Sequence, residues 1–361
     1  MKILRTFKII AINVLTFAIL LIIINWACGL YLRSRTQGSR DQLPNFANDQ
    51  QYARKVFKDY NSVQHEYEPF VGWKMLPYKG ETLFVNKDGL RMHTPPAYDA
   101  SREKTVRFFG GSTMWGEGSD DQHTIAALFH DKNPKYKVVN HAQLAYNTRQ
   151  ELDALITLYS KTDSADIVIF YDGVNDAAFL CPKDIKELPA HRLVPMFREK
   201  LYVGKSAFVK DLLKKIFVEN ILKAIFAFTH KPSAENSPYD CLSKPGKAEE
   251  IADIFIKNWE MAHQIVTQRG GKFIAVLQPA VFIGNPRSDH LQLDPDFGNN
   301  FKEVYKHIQQ KIKERNHDWI FDLTDKFDGQ EYIYIDFCHV SPNGNDIVSR
   351  EITNIVARVD Q

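Results

Sequence analysis

Thr105-Val-Arg-Phe-Phe-Gly-Gly-Ser-Thr113 decides how the chain is read. Its mainly apolar run, Val106-Arg-Phe-Phe109, stops at two glycines and is followed at once by a small hydroxyl residue. A short apolar run closed by glycine marks a buried strand. Glycine lets the backbone turn tightly, so Ser112 can be presented at the start of a helix. Taken alone, the motif reads as a serine cap after a glycine turn.

Beyond it, strand and helix alternate to the C-terminus. Helices are expected over Thr124–His130, Thr148–Tyr159, Ala248–Gln268, Asn300–Arg315 and Asn343–Val359. Strands are expected over Val138–Asn140, Asp166–Tyr171, Phe273–Leu277 and Trp319–Leu323. Gly270-Gly271 supplies the stop for the longest helix. This alternation predicts a parallel sheet covered on both faces. In such sheets the chemistry gathers at the carboxyl ends of the strands.

Two further motifs fall at strand ends. Tyr171-Asp-Gly-Val-Asn-Asp176 follows the third strand, where Asn175 can aim its amide into the crevice. As isolated residues, Asn and Asp there would be turn formers and caps. Asp336-Phe-Cys-His339 precedes the last helix. Spaced three apart on one loop, Asp336 can fix the tautomer of His339 and stabilise its imidazolium. The plain alternative is a surface Asp and a satisfied core His.

Together the three motifs resemble the SGNH (GDSL-like) hydrolases, whose blocks are named for Ser, Gly, Asn and His. The first block is Phe109-Gly-Gly-Ser-Thr-Met-Trp-Gly116, with Gly-Gly-Ser where many members have Gly-Asp-Ser. The third is Gly173-Val-Asn-Asp176, and the fifth is Asp336-Phe-Cys-His339 followed by Pro342-Asn-Gly344. Pro69-Phe-Val-Gly-Trp73 and Asn86-Lys-Asp-Gly-Leu-Arg91 resemble a prefix of membrane-anchored bacterial members. The resemblance implies a flavodoxin-like three-layer α/β sandwich with a five-stranded parallel sheet. It implies a catalytic Ser112, His339 and Asp336, and an oxyanion hole from the Ser112 and Ala145 N–H groups and the Asn175 amide. It implies neither metal nor organic cofactor. The second block, Asn140-His-Ala-Gln-Leu-Ala-Tyr-Asn147, departs from the family, with Ala145 where a glycine is expected. The N–H donor survives that change, and the methyl group is tolerated only if φ is negative.

From Ile9 to Leu32 the chain carries no charge and is rich in Leu, Ile, Val, Phe and Ala. Roughly 20 apolar residues in a helix cross a bilayer core. A cleaved signal peptide is the rival, but its apolar region is usually about 7–15 residues. Lys2, Arg5 and Lys8 before the segment nearly balance Arg33, Arg35 and Arg40 after it. An inside N-terminus is the expected orientation, because a large domain after a first apolar segment is exported whatever its flanking charge. The divisions are then a cytoplasmic tip and transmembrane anchor over 1–32, and a polar stalk and small β decoration over 33–104. A hydrolase domain follows over 105–361, with an insertion at about 180–247.

Cys181 and Cys241 bracket the insertion, and a disulfide and two free thiols are equally open there. Ser206–Phe228 has apolar residues at helical spacing with lysines between them. An ordinary core-packing helix is the simpler reading; a membrane-surface helix is the rival. A net charge of +2 gives no basic surface for nucleic acid.

The function expected is removal of acyl groups, foremost acetyl, from a cell-envelope carbohydrate by a single-pass membrane enzyme facing the periplasm or the exterior. Trp115, Glu117, Tyr146, Asn147, Tyr171 and Asp172 adjoin the motifs and are expected to line the site, a mixture suited to sugar rings. The alternatives are transfer of an acyl group to a glycan, lipid or thioester hydrolysis, and a non-catalytic glycan-binding protein on the same fold.

Overall fold

The computed structural model describes residues 2–35, 40–93, 104–161, 166–191, 193–196, 205–229 and 237–360. The chain forms two units, Met1–Gly38 with Glu199–Ser237, and Ser39–Arg198 with Pro238–Gln361. Parts of the expected stalk (36–39), decoration (94–103) and insertion (192, 197–204, 230–236) lie outside the described residues.

In the smaller unit, α1 (Lys2–Arg35) contains Arg5–Leu32, a stretch long and apolar enough to cross a membrane.

The larger unit begins with two single helical turns, Arg40–Gln42 and Pro44–Phe46, and α2 (Gln50–Tyr60). The expectation of a polar stalk here is corrected. Leu43, Phe46, Ala53 and Phe57 are buried and pack with Ile335. A few apolar residues at helical spacing make a core-facing stripe even where polar residues dominate the composition. Two antiparallel pairs follow, β1 (His65–Glu66) with β2 (Lys74–Met75), and β3 (Tyr78–Lys79) with β4 (Phe84–Val85). They make the small β decoration.

The main sheet has β5 (Lys104–Gly110), β6 (Tyr136–Asn140), β7 (Ile167–Asp172), β8 (Lys272–Leu277) and β9 (Ile320–Asp322). All pairs are parallel, in the order β6-β5-β7-β8-β9. Every residue of central β7 is buried, the continuous apolar pattern of a strand covered on both faces. The short helices α3 (Ser112–Trp115) and α6 (Val174–Leu180) start at the carboxyl ends of β5 and β7. One face is covered by α4 (Ile125–Lys132) and, near the C-terminus, by Pro342–Val359. The other is covered by α5 (Thr148–Tyr159), Lys247–Gln268 and Pro295–Arg315. This is the expected three-layer sandwich. Cys181 and Cys241 are bonded to each other, which resolves the two readings of that pair.

In the smaller unit, the single helix expected over 206–228 is two helices, α7 (Lys205–Phe217) and α8 (Glu219–Thr229). Val209, Leu212, Leu213, Ile216, Leu222, Ile225 and Phe228 are 39–62% exposed. The expected core-packing helix would have buried them.

The decoration reaches the loop behind Ser112 through Arg91, which is 3% exposed. Its Nε lies 2.9 Å from Asp121 Oδ1, and its other nitrogens donate to the carbonyls of Trp115, Gly116 and Ser119. The guanidinium also lies 4.4 Å from the Trp115 ring centroid. Burial pushes the Asp121 carboxyl up to about 6 even with Arg91 beside it. Removing one partner of a buried ion pair costs about 3–5 kcal/mol, because the other is left uncompensated. Arg91→Ala is therefore expected to lose about 3–5 kcal/mol in urea denaturation. A loss under about 1 kcal/mol would mean that the 115–121 loop is held by something else.

Candidate active site

Ser112 is the first residue of α3, immediately after Gly110-Gly111. The glycine at 111 is required by crowding: a Cβ there would lie 2.1 Å from Asn175 Nδ2. His339 and Asp336 sit on the loop before the C-terminal helix. His339 Nε2 is 2.6 Å from Ser112 Oγ, and His339 Nδ1 is 2.7 Å from Asp336 Oδ2. The other Asp336 oxygen accepts the backbone N–H groups of Cys338 and His339, at 3.0 and 2.8 Å. Those two bonds fix the carboxylate against its own loop. With Nδ1–H donated to Asp336, Nε2 faces Ser112 Oγ and can accept the hydroxyl proton in the neutral form of the ring. The three expected catalytic residues are thus joined in one hydrogen-bonded line.

A second carboxylate shares the imidazole. Glu117 Oε2 lies 3.0 Å from His339 Nε2. Its other oxygen is 2.7 Å from Arg40, which also reaches Asp336 Oδ2 at 3.0 Å. Arg40 stacks over Phe57 and approaches the ring of Tyr60 on α2, whose hydroxyl faces Glu117. Glu117 is folded back by its flanking glycines, Gly116 and Gly118, at φ +99° and +91°. Its N–H donates to the Ser112 carbonyl at 3.0 Å.

Charge balance follows from this packing. Burial alone would lower the His339 pKa, but Asp336, Cys338 and Glu117 outweigh it and hold it well above the ordinary imidazole value. Burial alone would raise the Glu117 and Asp336 pKa values, but His339 and Arg40 hold both below the ordinary carboxylate range. From the sequence, Glu117 is expected only among the lining residues, and Arg40 is only a charge flanking the apolar segment. The Gly-Glu-Gly turn five residues beyond Ser112 was the one signal for Glu117; Arg40 left none.

On the other side of Ser112, the second-block loop is held by its carbonyls. Leu144 O accepts Trp73 Nε1–H at 2.9 Å, and Tyr146 O accepts Asn175 Nδ2–H at 2.6 Å. Ala145 O lies 2.9 Å from His191 Nε2. His191 Nδ1 accepts the Leu193 N–H, so Nε2 carries the proton donated to Ala145. Burial pushes this histidine down to about 4 and keeps it neutral. Asn175 rides on α6, whose Asp176 carboxylate accepts the Thr148 N–H and hydroxyl.

Ala145 has φ +63°, so the expectation that its methyl group requires a negative φ is corrected. The left-handed conformation costs an L-residue roughly 1–2 kcal/mol, and the bonds on three successive carbonyls impose it. Neither the Ala145 nor the Ser112 N–H is bonded to another described residue.

The expected polar and aromatic lining is corrected as well. Trp115, Tyr146, Asn147, Tyr171 and Asp172 are all under 5% exposed. They support the site from behind, as Trp115 does beneath Arg91 and Tyr146 through its hydroxyl bond to the Trp73 carbonyl. Asp336, Cys338 and His339 are also close enough together to hold a metal ion. Asp336 and His339 are, however, hydrogen-bonded to each other, and burial pushes the Cys338 thiol up to about 12. That donor set suits proton transfer better than metal binding.

No family model matches the chain, and no curated protein matches it. Solved structures do align with it. A carbohydrate acetylesterase family member from Sinorhizobium meliloti is 13% identical, with 71% of this chain and 98% of that one covered at a TM-score of 0.36. A carbohydrate acetylesterase from the same organism is 14% identical, with 71% and 99% covered at 0.37. A member of the lipolytic protein G-D-S-L family from Veillonella parvula is 11% identical, with 71% and 99% covered at 0.36.

Two outcomes are expected here. Glu117→Gln removes a negative charge from beside the imidazole, so the His339 ring should titrate at lower pH than in the parent, read by NMR. An unchanged titration would remove Glu117 from the proton's surroundings. Ala145→Gly should raise stability by up to about 1 kcal/mol in thermal or urea unfolding, because glycine adopts the left-handed conformation without the Cβ clash. A loss of stability would place the strain elsewhere in the loop.

Proposed function

We propose that the protein is a serine esterase that removes short acyl groups, foremost acetyl, from a carbohydrate of the cell envelope. The observation that carries this reading is the continuous line from Ser112 Oγ through His339 to Asp336, with steps of 2.6 and 2.7 Å. It lies at the carboxyl end of a parallel sheet, where such chemistry collects.

In the proposed reaction, His339 Nε2 takes the Ser112 proton as Oγ attacks the acyl carbonyl carbon. The negative charge that develops on the carbonyl oxygen is met by the Ser112 and Ala145 N–H groups and the second N–H of the Asn175 amide. Asn175 is oriented for this by its bond to Tyr146 O. Removing one such donor typically costs about 10²–10³ in kcat. The tetrahedral species expels the sugar oxygen, which takes the proton from His339. Water then attacks the acyl-serine, giving its proton to His339, and the free acid leaves as Ser112 recovers its own. Asp336 orients the imidazole throughout and offsets its charge. No step uses a metal or organic cofactor.

A short acyl group is favoured by the composition of the wall beside Ser112. Arg40, Glu117 and Asp336 form an ion network there, and a fatty chain laid against it would desolvate charge without apolar contact. The exported location is supported by the apolar length of Arg5–Leu32. It is further supported by the Cys181–Cys241 disulfide, a bond that persists in oxidising compartments.

The test is hydrolysis of p-nitrophenyl esters of two to eight carbons by the parent and by Ser112→Ala. The acetyl ester is expected to have the highest kcat/KM, and folded Ser112→Ala should lose about 10⁴–10⁶-fold in kcat. Residual activity near the parent's would sink the nucleophile. A lipid-binding site would gain about 0.8 kcal/mol per methylene, so a steep rise toward octanoate would replace the glycan with a lipid substrate.

A further inference from the structure

Asn25 stands in the last turns of the apolar stretch Arg5–Leu32, yet it is 5% exposed while its neighbours Ile24 and Trp26 are 48% and 65% exposed. Its amide is fully used. Nδ2 donates to Lys215 O and Ile216 O at 2.9 and 3.1 Å, and Oδ1 accepts Asn220 N–H and Ile221 N–H at 2.8 and 3.3 Å. Those partners are the last carbonyls of α7 and the first N–H groups of α8, the groups a broken helix leaves without intrahelical bonds. In water such groups are hydrated and need no side chain. Where water is excluded they must be met by protein. A polar side chain within an apolar span likewise persists where it has a polar partner.

The same junction is closely packed. A Cβ on Gly29 would lie 2.8 Å from Asn220 Nδ2, and small residues at such contacts let membrane helices approach. The rings of Tyr31 and Phe228 stack at 5.3 Å, and Ala224 is buried. The outward side of the pair is apolar and open. On α7, Val209, Leu212, Leu213 and Ile216 share one face, 39–49% exposed, and the exposed Lys210 and Lys214 lie on the other. On α8, Leu222, Ile225 and Phe228 are 52–62% exposed. Trp26 marks the level of the junction on α1, in the interfacial position that tryptophan favours.

We propose that α7 and α8 are seated in the surface of the bilayer that α1 crosses, on the side of the α1 C-terminus. Their apolar face lies in the lipid, and the lysines lie among anionic phospholipid headgroups. The proposal rests on the reading of α1 as a membrane span, and it makes α1 a structural partner of residues 215–228. A cleaved leader could not remain such a partner. The basic, amphipathic character of α7 fits an in-plane helix, and its lysine stems can follow the apolar surface while the charges stay in water.

The experiment uses the full chain in vesicles of phosphatidylethanolamine and phosphatidylglycerol, with Cys28→Ala to remove the accessible thiol. Single nitroxide labels are placed at Leu213→Cys and Ile225→Cys, at Lys210→Cys and Lys214→Cys, and at Ile19→Cys in the middle of α1. Collision with oxygen, which concentrates in lipid, is compared with collision with a water-soluble nickel chelate. Oxygen is expected to dominate at positions 213, 225 and 19, and nickel at 210 and 214. Nickel access at 213 and 225 with oxygen dominant at 19 would overturn the proposal and leave the span standing. Shielding of 213 and 225 from both reagents would overturn it in favour of a protein partner. Nickel access at 19 would overturn the span, and the proposal with it.

Discussion

One imidazole between two carboxylates is the constraint on which the site depends. Asp336 occupies Nδ1 of His339, while Glu117 and Ser112 share Nε2. A buried carboxylate, Glu117, and a partly exposed one, Asp336, beside one neutral imidazole would leave uncompensated negative charge, and Arg40 answers it by bridging both acids. Arg40 can do so because Leu43, Phe46 and Phe57 fix the segment that carries it onto the larger unit. A stretch with no atom in the Ser112–His339–Asp336 line thereby sets the electrostatics of His339. The raised His339 pKa has two consequences of opposite sign. It makes the neutral ring a stronger base toward Ser112, and it keeps more of the ring protonated, and so unable to act as a base, as pH falls.

The β decoration has a comparable role on both sides of Ser112. Arg91 holds the carbonyls of Trp115, Gly116 and Ser119. Trp73 holds Leu144 O, Gln143 bonds to Met75 N–H and Gly89 O, and Gln150 Nε2 donates to Val71 O. Each of the two prefix motifs thus anchors the loop that carries a proposed oxyanion donor. The strain of Ala145 at φ +63° is tolerable within this frame, because the carbonyls on either side are pinned as well as its own. Backbone strain persists where its surroundings over-determine it.

What the sequence disclosed follows the reach of local patterns. Strands and helices of the sandwich were legible because apolar runs, glycine stops and helical spacing are local. Ser112, Asn175, Asp336 and His339 were legible because each lies in a short motif, at a strand end or on the loop before the last helix, and the structure brings them together. Arg40 was not, since a charge in a polar stretch has no periodicity to betray its partner far along the chain. The lining residues were misread for a related reason. Adjacency to a motif says nothing about direction, and Trp115 and Tyr171 point into the core below the site. The sign of φ at Ala145 also lay beyond reach, because it is set by side chains from Trp73, Asn175 and His191.

The 206–228 segment shows where periodicity stops being informative at all. An apolar stripe opposite a lysine face looks the same whether it meets a protein core or a bilayer, since both exclude water from one side. The discriminating residue is Asn25, far away in sequence. Its amide bonds the backbone groups left open between α7 and α8, and the apolar side chains around that junction remain exposed. A core helix would show the reverse, with buried apolar residues and an unbroken hydrogen-bond ladder. The polar residue in the apolar helix is therefore what distinguishes the two settings, and it does so by satisfying backbone groups that water would otherwise have met.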